Sequence, residues 1–377
     1  MRVLLVGNYE PDAQQSMARY AAWLERSLRA RGHSVTTIRP TPFFSRLARH
    51  QGLSKYLGYL DKFLVFPSRL RSLARAHNLV HILDHSNSMY LGTLPKTPSL
   101  ITCHDVLAIR AARGEFPQTR TGWSGRLLQR WILSGLRGAR AVLCVSQKTA
   151  SDLRALTGDT GAEIRVIPNA LNWEYKPLGA VSGGLAARLG FGPGDPYFLH
   201  VGGNQWYKNR MGAVRIFARL ATAKKFANAR LVLAGKPFTA ALRDAIREER
   251  VGERVIELTD ATNEELQTLY SNALALLYPS IEEGFGWPIL EAQACGCPVI
   301  TTRRPPMSEV AGDAAILIDL ADIAGAAAAI AAGLERREEV AAAGFQNLKR
   351  FDEETIAGRY CAFYAEILGE RSVSLSR

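Results

Sequence analysis

Short apolar runs of strand length alternate with longer mixed stretches from one end of the chain to the other. Arg2 to Val6, Ser34 to Ile38, Leu79 to Leu83, Ser99 to Cys103, Ala141 to Val145 and Ile164 to Ile167 read as strands in the first half. A helix of roughly Ala13 to Arg31, closed by Gly32, separates the first two. The second half repeats the plan with Tyr197 to Val201, Arg230 to Ala234, Val255 to Leu258, Leu274 to Tyr278, Pro298 to Thr301 and Ala315 to Ile318. The alanine-rich run Ala324 to Ala332 is one of the helices between them. Strand–helix alternation of this kind predicts parallel sheets covered on both faces, an α/β architecture of doubly wound, Rossmann-like domains. Leu178 to Pro196 is dense in Gly and Pro and reads as the linker. The expected domains are 1–177 and 178–352, followed by 353–377 with a last helix near Glu353 to Leu368. Two doubly wound domains offer a cleft at the carboxyl ends of their strands.

The segment from Tyr278 to Thr302 is the most informative. Strand residues end at Tyr278, and Gly284 and Gly286 allow a sharp turn with uncovered amides. Pro288 suits the first helical turn, and Gly296 suits the stop before the next strand. A helix that begins directly after a glycine loop aims N–H groups and a positive dipole end above the sheet, which suits phosphate. Glu283 in the loop and Glu291 in the helix are carboxylates, which suit sugar hydroxyls. Phosphate-seeking amides flanked by two hydroxyl-seeking acids describe a nucleotide-sugar site.

This stretch resembles the E-x7-E signature of retaining glycosyltransferases of the GT-B fold, family 4 type. The resemblance implies two Rossmann-like domains facing each other across a cleft, with the last helix crossing back to the first domain. It also implies transfer of a sugar from a nucleotide-sugar donor to a hydroxyl acceptor, a glycan or lipid-linked glycan, without a metal and without a cofactor. Glu291 would bind ribose hydroxyls, Gly284, Phe285 and Gly286 the sugar and phosphate, and Glu283 the sugar near its anomeric centre. A non-transferase GT-B relative, such as a nucleotide-sugar epimerase or an inactive homologue, is the alternative.

Gly202 and Gly203 end a strand and are followed by Lys208 and Arg210 at a helix start. Cations beside a glycine turn and a helix N-terminus make a diphosphate cradle. The family's lysine is matched by Lys208. Its usual arginine positions hold Gly203 and Tyr207, so Arg210 is the substitute second cation. His104, in Thr102-Cys-His-Asp-Val106, resembles the family's strand-end histidine near the donor sugar. His81 and His85 beside Asp84 suit acceptor contact or plain loop polarity. Ser146 reads as a helix cap, and Lys236 after Gly235 could reach the nucleotide. After the first strand stands a single Gly7, not Gly-x-Gly-x-x-Gly, which argues against a dinucleotide oxidoreductase. No Asp-x-Asp metal motif occurs.

Charge adds a partner. Residues 1–180 hold 25 Lys and Arg against 11 Asp and Glu, whereas residues 181–377 hold 22 against 24. A basic first half suits an anionic membrane surface or lipid carrier. Nucleic acid is set aside because no recognition motif accompanies the charge. Between Phe43 and Arg75, Leu53, Tyr56, Leu57, Leu60, Phe63 and Leu64 fall at helical spacing. Arg46, Arg49, Lys55, Lys62, Arg69, Arg71 and Arg75 surround them, as an interfacial helix requires. Five scattered cysteines, the polar turn after Met1 to Gly7 and the lack of a long apolar run predict a cytoplasmic protein, peripheral on the inner face of the membrane if that helix docks.

Overall fold

The computed structural model describes residues 1–369 apart from 13, 48–56, 95, 180–182 and 193. It divides into two compact units, Met1–Asn172 with Glu353–Arg377, and Trp173–Asp352. Each is built on a six-stranded parallel sheet flanked by helices.

In the first unit the strands are β1 (Arg2–Val6), β2 (Ser34–Ile38), β3 (Leu79–Ile82), β4 (Ser99–Cys103), β5 (Ala141–Cys144) and β6 (Glu163–Val166). Their spatial order is β2-β1-β3-β4-β5-β6. Strands β3, β4 and β5 are almost wholly buried because helices cover both faces, which is why they read as unbroken apolar runs. Four helices matter below: α1 (Gln15–Ala30), α2 (Phe66–Ala74), α3 (Leu107–Ala112) and α4 (Trp123–Arg137). The order of strands reverses between β1 and β3, the place where open α/β sheets leave a crevice.

The second unit holds β7 (Tyr197–Gly202), β8 (Arg230–Gly235), β9 (Val255–Thr259), β10 (Ala275–Tyr278), β11 (Val299–Thr302) and β12 (Ile316–Ile318), in the order β12-β11-β10-β7-β8-β9. Its reversal lies between β7 and β10. Strands β7 and β8 each run one residue further than their apolar runs, because Gly202 and Gly235 continue the ladder. Their backbones approach so closely that a Cβ on Gly235 would stand 2.1 Å from the Gly202 carbonyl oxygen, at a φ of +152°. Only glycine fits there.

The last helix, Glu353–Ile367, is counted with the first unit. A buried polar chain fastens it. The Tyr20 hydroxyl meets Tyr360 at 2.9 Å and Thr102 at 3.0 Å, while His81 bridges Tyr364 at 2.6 Å and Thr102 at 2.7 Å. Every member finds a partner, so the aromatic residues can be buried without stranding their polar ends. This also corrects the reading of His81, which lies within β3 and faces the last helix, not an acceptor.

The expected interfacial helix needs a larger correction. The described part of 43–75 holds a 3-10 turn at Ser45–Leu47, a π turn at Asp61–Val65 and then α2. Asp61 is buried and accepts from the Phe44 and Ser45 amides and the Tyr9 hydroxyl, which ties the segment down. Phe63 turns onto the core and onto the ring of Trp131, 4.9 Å away, while Leu60 and Leu64 stay exposed. The stripe therefore splits between core and surface; Arg49, Leu53, Lys55 and Tyr56 lie outside the described residues. No described helix is long and apolar enough to cross a membrane.

Candidate functional site

The second unit's reversal point brings two loops together at the carboxyl ends of β7 and β10. The first, residues 203–209, ends in a 3-10 turn (Trp206–Lys208) and in Asn209, whose φ of 53° is left-handed. That conformation lets the Asn209 side chain cap helix α5 (Arg210–Leu220) through the Gly212 amide, and asparagine tolerates it better than most residues. The same side chain donates to the Pro279 carbonyl at 2.9 Å, and the Ile281 amide donates to the Tyr207 carbonyl at 2.8 Å. The loops are thus laced together across the crevice.

Lys208 projects from this lacing onto Glu283. Its ammonium lies 2.8 and 3.0 Å from the two carboxylate oxygens, and 3.1 Å from the Tyr278 hydroxyl. Tyr278 donates in turn to Glu283 Oε1 at 2.5 Å. Burial, then the neighbouring Glu283 charge, hold the Tyr278 phenol well above its usual range, so it remains a donor. Glu283 and Tyr278 are buried, and Lys208 is largely so. Gly202 gives the lysine stem its room, since a Cβ there would stand 3.3 Å from Lys208 Cγ and Cδ.

Arg210 opens α5 and is 5% exposed. Its Nη1 donates to Asn204 at 2.5 Å and to the Lys236 carbonyl at 2.8 Å, and the guanidinium lies over Phe238. Its Nε and Nη2 are buried and have no partner among the described residues. Burial lowers the Arg210 pKa from its ordinary value, with the Glu257 charge opposing. Donors on a buried guanidinium that no described residue meets are costly to bury and suit an anion.

Glu291 lies on helix α6 (Trp287–Ala294), which Gly286 starts from a φ of 106°. It is buried, and the Tyr270 hydroxyl donates to it at 2.9 Å. Desolvation and then the Glu291 charge keep Tyr270 protonated. Phe285 is buried too, edge-on to Trp287 and Phe351. It is a packing residue of the loop.

His104 stands in the first unit, one residue beyond β4, buried with Nε2 2.9 Å from the Leu83 carbonyl. Burial lowers its pKa against the pull of Asp84, which keeps the ring neutral. The first unit's own reversal point carries a polar cluster. Asn8, after β1, donates to Asp84, after β3, at 2.6 Å, and accepts from Asn87 at 2.9 Å. Desolvation would raise Asp84, but His85, His104, Asn8 and the Ser86 amide together hold it below the usual carboxylate range.

Sequence reasoning therefore named Lys208, Glu283, Glu291, Arg210 and the glycines. It missed Tyr278, Tyr270, Asn209 and Asn204. Tyr278 had a signal, as the last residue of a strand beside the reversal point. Tyr270 had none beyond helical burial.

A family model described as glycosyl transferases group 1 matches residues 185–349, and one for glycosyltransferase family 4 matches residues 17–175. The chain belongs to the GT-B glycosyltransferases of the family 4 type. Among curated relatives, O-antigen chain mannosyltransferase B of Escherichia coli is 25% identical over 78% of this chain and 80% of its own. A glycogen synthase of Mycobacterium tuberculosis is 25% identical over 98% and 96%. Among solved structures, sucrose-phosphate synthase from Thermosynechococcus elongatus aligns with a TM-score of 0.74 at 18% identity, covering 98% of this chain and 99% of that one. The Anabaena protein HepE in complex with UDP and glucose aligns with a TM-score of 0.72 at 16% identity, covering 97% and 100%. These structural likenesses establish the fold.

Proposed function

We propose that this glycosyltransferase moves a sugar from a nucleoside diphosphate donor to a hydroxyl of a glycan or lipid-linked glycan, with retention at the anomeric carbon and without a metal. The observation that carries the reading is the convergence of Lys208, Tyr278 and Glu283 at the second unit's reversal point, with two Arg210 donors at the start of the next helix that no described residue meets. Lys208 and Arg210 would take the diphosphate, helped by the N-terminal end of α6. Glu291, fixed by Tyr270, would accept from ribose hydroxyls. Glu283 would accept from sugar hydroxyls near the reacting carbon.

The donor's diphosphate competes with Glu283 for the lysine. When it binds, the ammonium shifts from carboxylate toward phosphate and the carboxylate is freed for the sugar. Rate then comes from stabilising charge on the departing diphosphate with groups already in place. In a retaining reaction of this kind the leaving oxygen breaks from the anomeric carbon on the face that the acceptor attacks. The acceptor proton passes to the departing phosphate, so no protein carboxylate acts as nucleophile. Asn8, Asp84 and the neutral His104 supply hydroxyl-binding polarity in the first unit. The basic charge of that unit supports peripheral association with an anionic membrane.

The test is a panel of nucleotide-sugars scored for release of nucleoside diphosphate and for product anomer by NMR. Acceptor-dependent release with an inverted anomer would overturn retention. A requirement for divalent ion that survives exhaustive chelation controls would overturn metal independence.

A further inference from the structure

Helix α4 has two apolar faces, and the described residues bury only one of them. Ile132, Leu133 and Leu136 are buried in the first unit's core, and Gly135 lies so close to Ser88 that a Cβ would stand 2.6 Å from its carbonyl carbon. On the other side Trp123, Leu127 and Trp131 are 80%, 59% and 46% exposed. Their spacing of four residues stacks them in one stripe along the helix. A helix that only closes a core needs one apolar stripe. The stripe continues onto the π turn, since Trp131 packs on Phe63 while neighbouring Leu64 is 69% exposed.

The charge beside it has one sign. Arg126 and Arg130 are exposed and lie one position before Leu127 and Trp131, so they form a parallel row on the flank of the stripe. Residues 117–137 contain four arginines and no acidic residue. Tryptophans and leucines bordered by arginines match the interface of an anionic bilayer, where the indole sits at headgroup depth and the guanidinium meets lipid phosphate. We infer that the first unit docks on an anionic membrane surface through this face of α4, with Leu64 at its margin. The inference rests on the peripheral association proposed above and goes beyond it by naming the surface that makes the contact. It also moves the contact from the expected 43–75 helix to α4. A second copy of the chain would suit the apolar stripe, but not a facing row of identical arginines.

Full-length protein is mixed with phosphatidylcholine vesicles and with vesicles that also contain phosphatidylglycerol. Co-sedimentation and a blue shift of tryptophan emission are expected only with the second, and are expected to weaken with added salt. Trp123→Ala with Leu127→Ala should lower partitioning about tenfold or more, and Arg126→Ala with Arg130→Ala by a similar factor. Both pairs are surface changes, so far-UV circular dichroism and nucleotide binding should remain as in the wild type. Unchanged vesicle binding in both variants overturns the inference. So does concentration-dependent self-association of the wild type that the Trp123 and Leu127 changes abolish while no vesicle binding is seen. Failure of donor turnover with vesicle binding intact bears on the proposed reaction alone.

Discussion

The Lys208 ammonium lies 2.8 Å from Glu283 Oε1 across the reversal of the second sheet, although 75 residues separate them in sequence. Removing either partner strands the other in a buried place. Lys208→Ala should lower kcat/KM for the donor by roughly 100-fold or more, chiefly through weaker binding of the diphosphate. Glu283→Ala should lower kcat more than it weakens donor affinity. The double variant should lose less than the two single losses combined, because the stranded charge is gone. Steady-state kinetics and calorimetric donor titration of all three decide this; strict additivity would disconnect the pair.

Tyr278 is a positioning residue. Its hydroxyl donates to Glu283 and accepts from Lys208. Tyr278→Phe keeps the buried ring and should cost only about 1–2 kcal/mol of stability. Because Glu283 then loses its fixed orientation, kcat should fall by about tenfold with little change in KM for the donor. An unchanged kcat would leave the tyrosine a purely structural residue.

Tyr270 and Glu291 form the second acid–phenol contact, at 2.9 Å. Glu291→Ala should weaken binding of free nucleoside diphosphate by about tenfold or more, the worth of one charge-assisted hydrogen bond. Tyr270→Phe should weaken it less and in the same direction. Fluorescence or calorimetric titration with the nucleotide reads both; wild-type affinity in Glu291→Ala would move the ribose elsewhere.

Buried histidines set an acid limit. Burial pushes both His81 and His200 down to about 3, from an ordinary 6.5. In the unfolded chain each takes a proton as pH falls through 6.5, while the folded chain holds them neutral. The unfolded state therefore binds more protons between pH 6.5 and about 3, and stability drops as pH is lowered through that window. Each histidine contributes a slope of up to about 1.4 kcal/mol per pH unit. The urea midpoint should decline steadily from pH 7 to pH 5, before ordinary carboxylates titrate. His81→Gln should flatten the decline even though it lowers stability at pH 7, and an equally steep decline in that variant would point to other groups.

The alternation of apolar runs and amphipathic stretches was enough to specify twelve strands to within a residue or two. A parallel strand buried on both faces must be apolar along its length, and that constraint is local. The glycines, Glu283, Glu291 and Lys208 were legible for a similar reason, because a turn, a helix start and an acid at fixed spacing are written within one loop. What remained hidden depends on partners distant in the chain. Nothing local says that Tyr278 and Lys208 share one carboxylate, or that Tyr360 and Tyr364 anchor the last helix on Tyr20 and His81. Periodicity shows that α4 carries apolar residues on more than one side. Which of them the core covers, and that Trp123, Leu127 and Trp131 stay largely outside, was decided when Ile132, Leu133 and Leu136 packed into the core on the opposite face. Burial is a property of what surrounds a side chain, and only the folded chain supplies its surroundings.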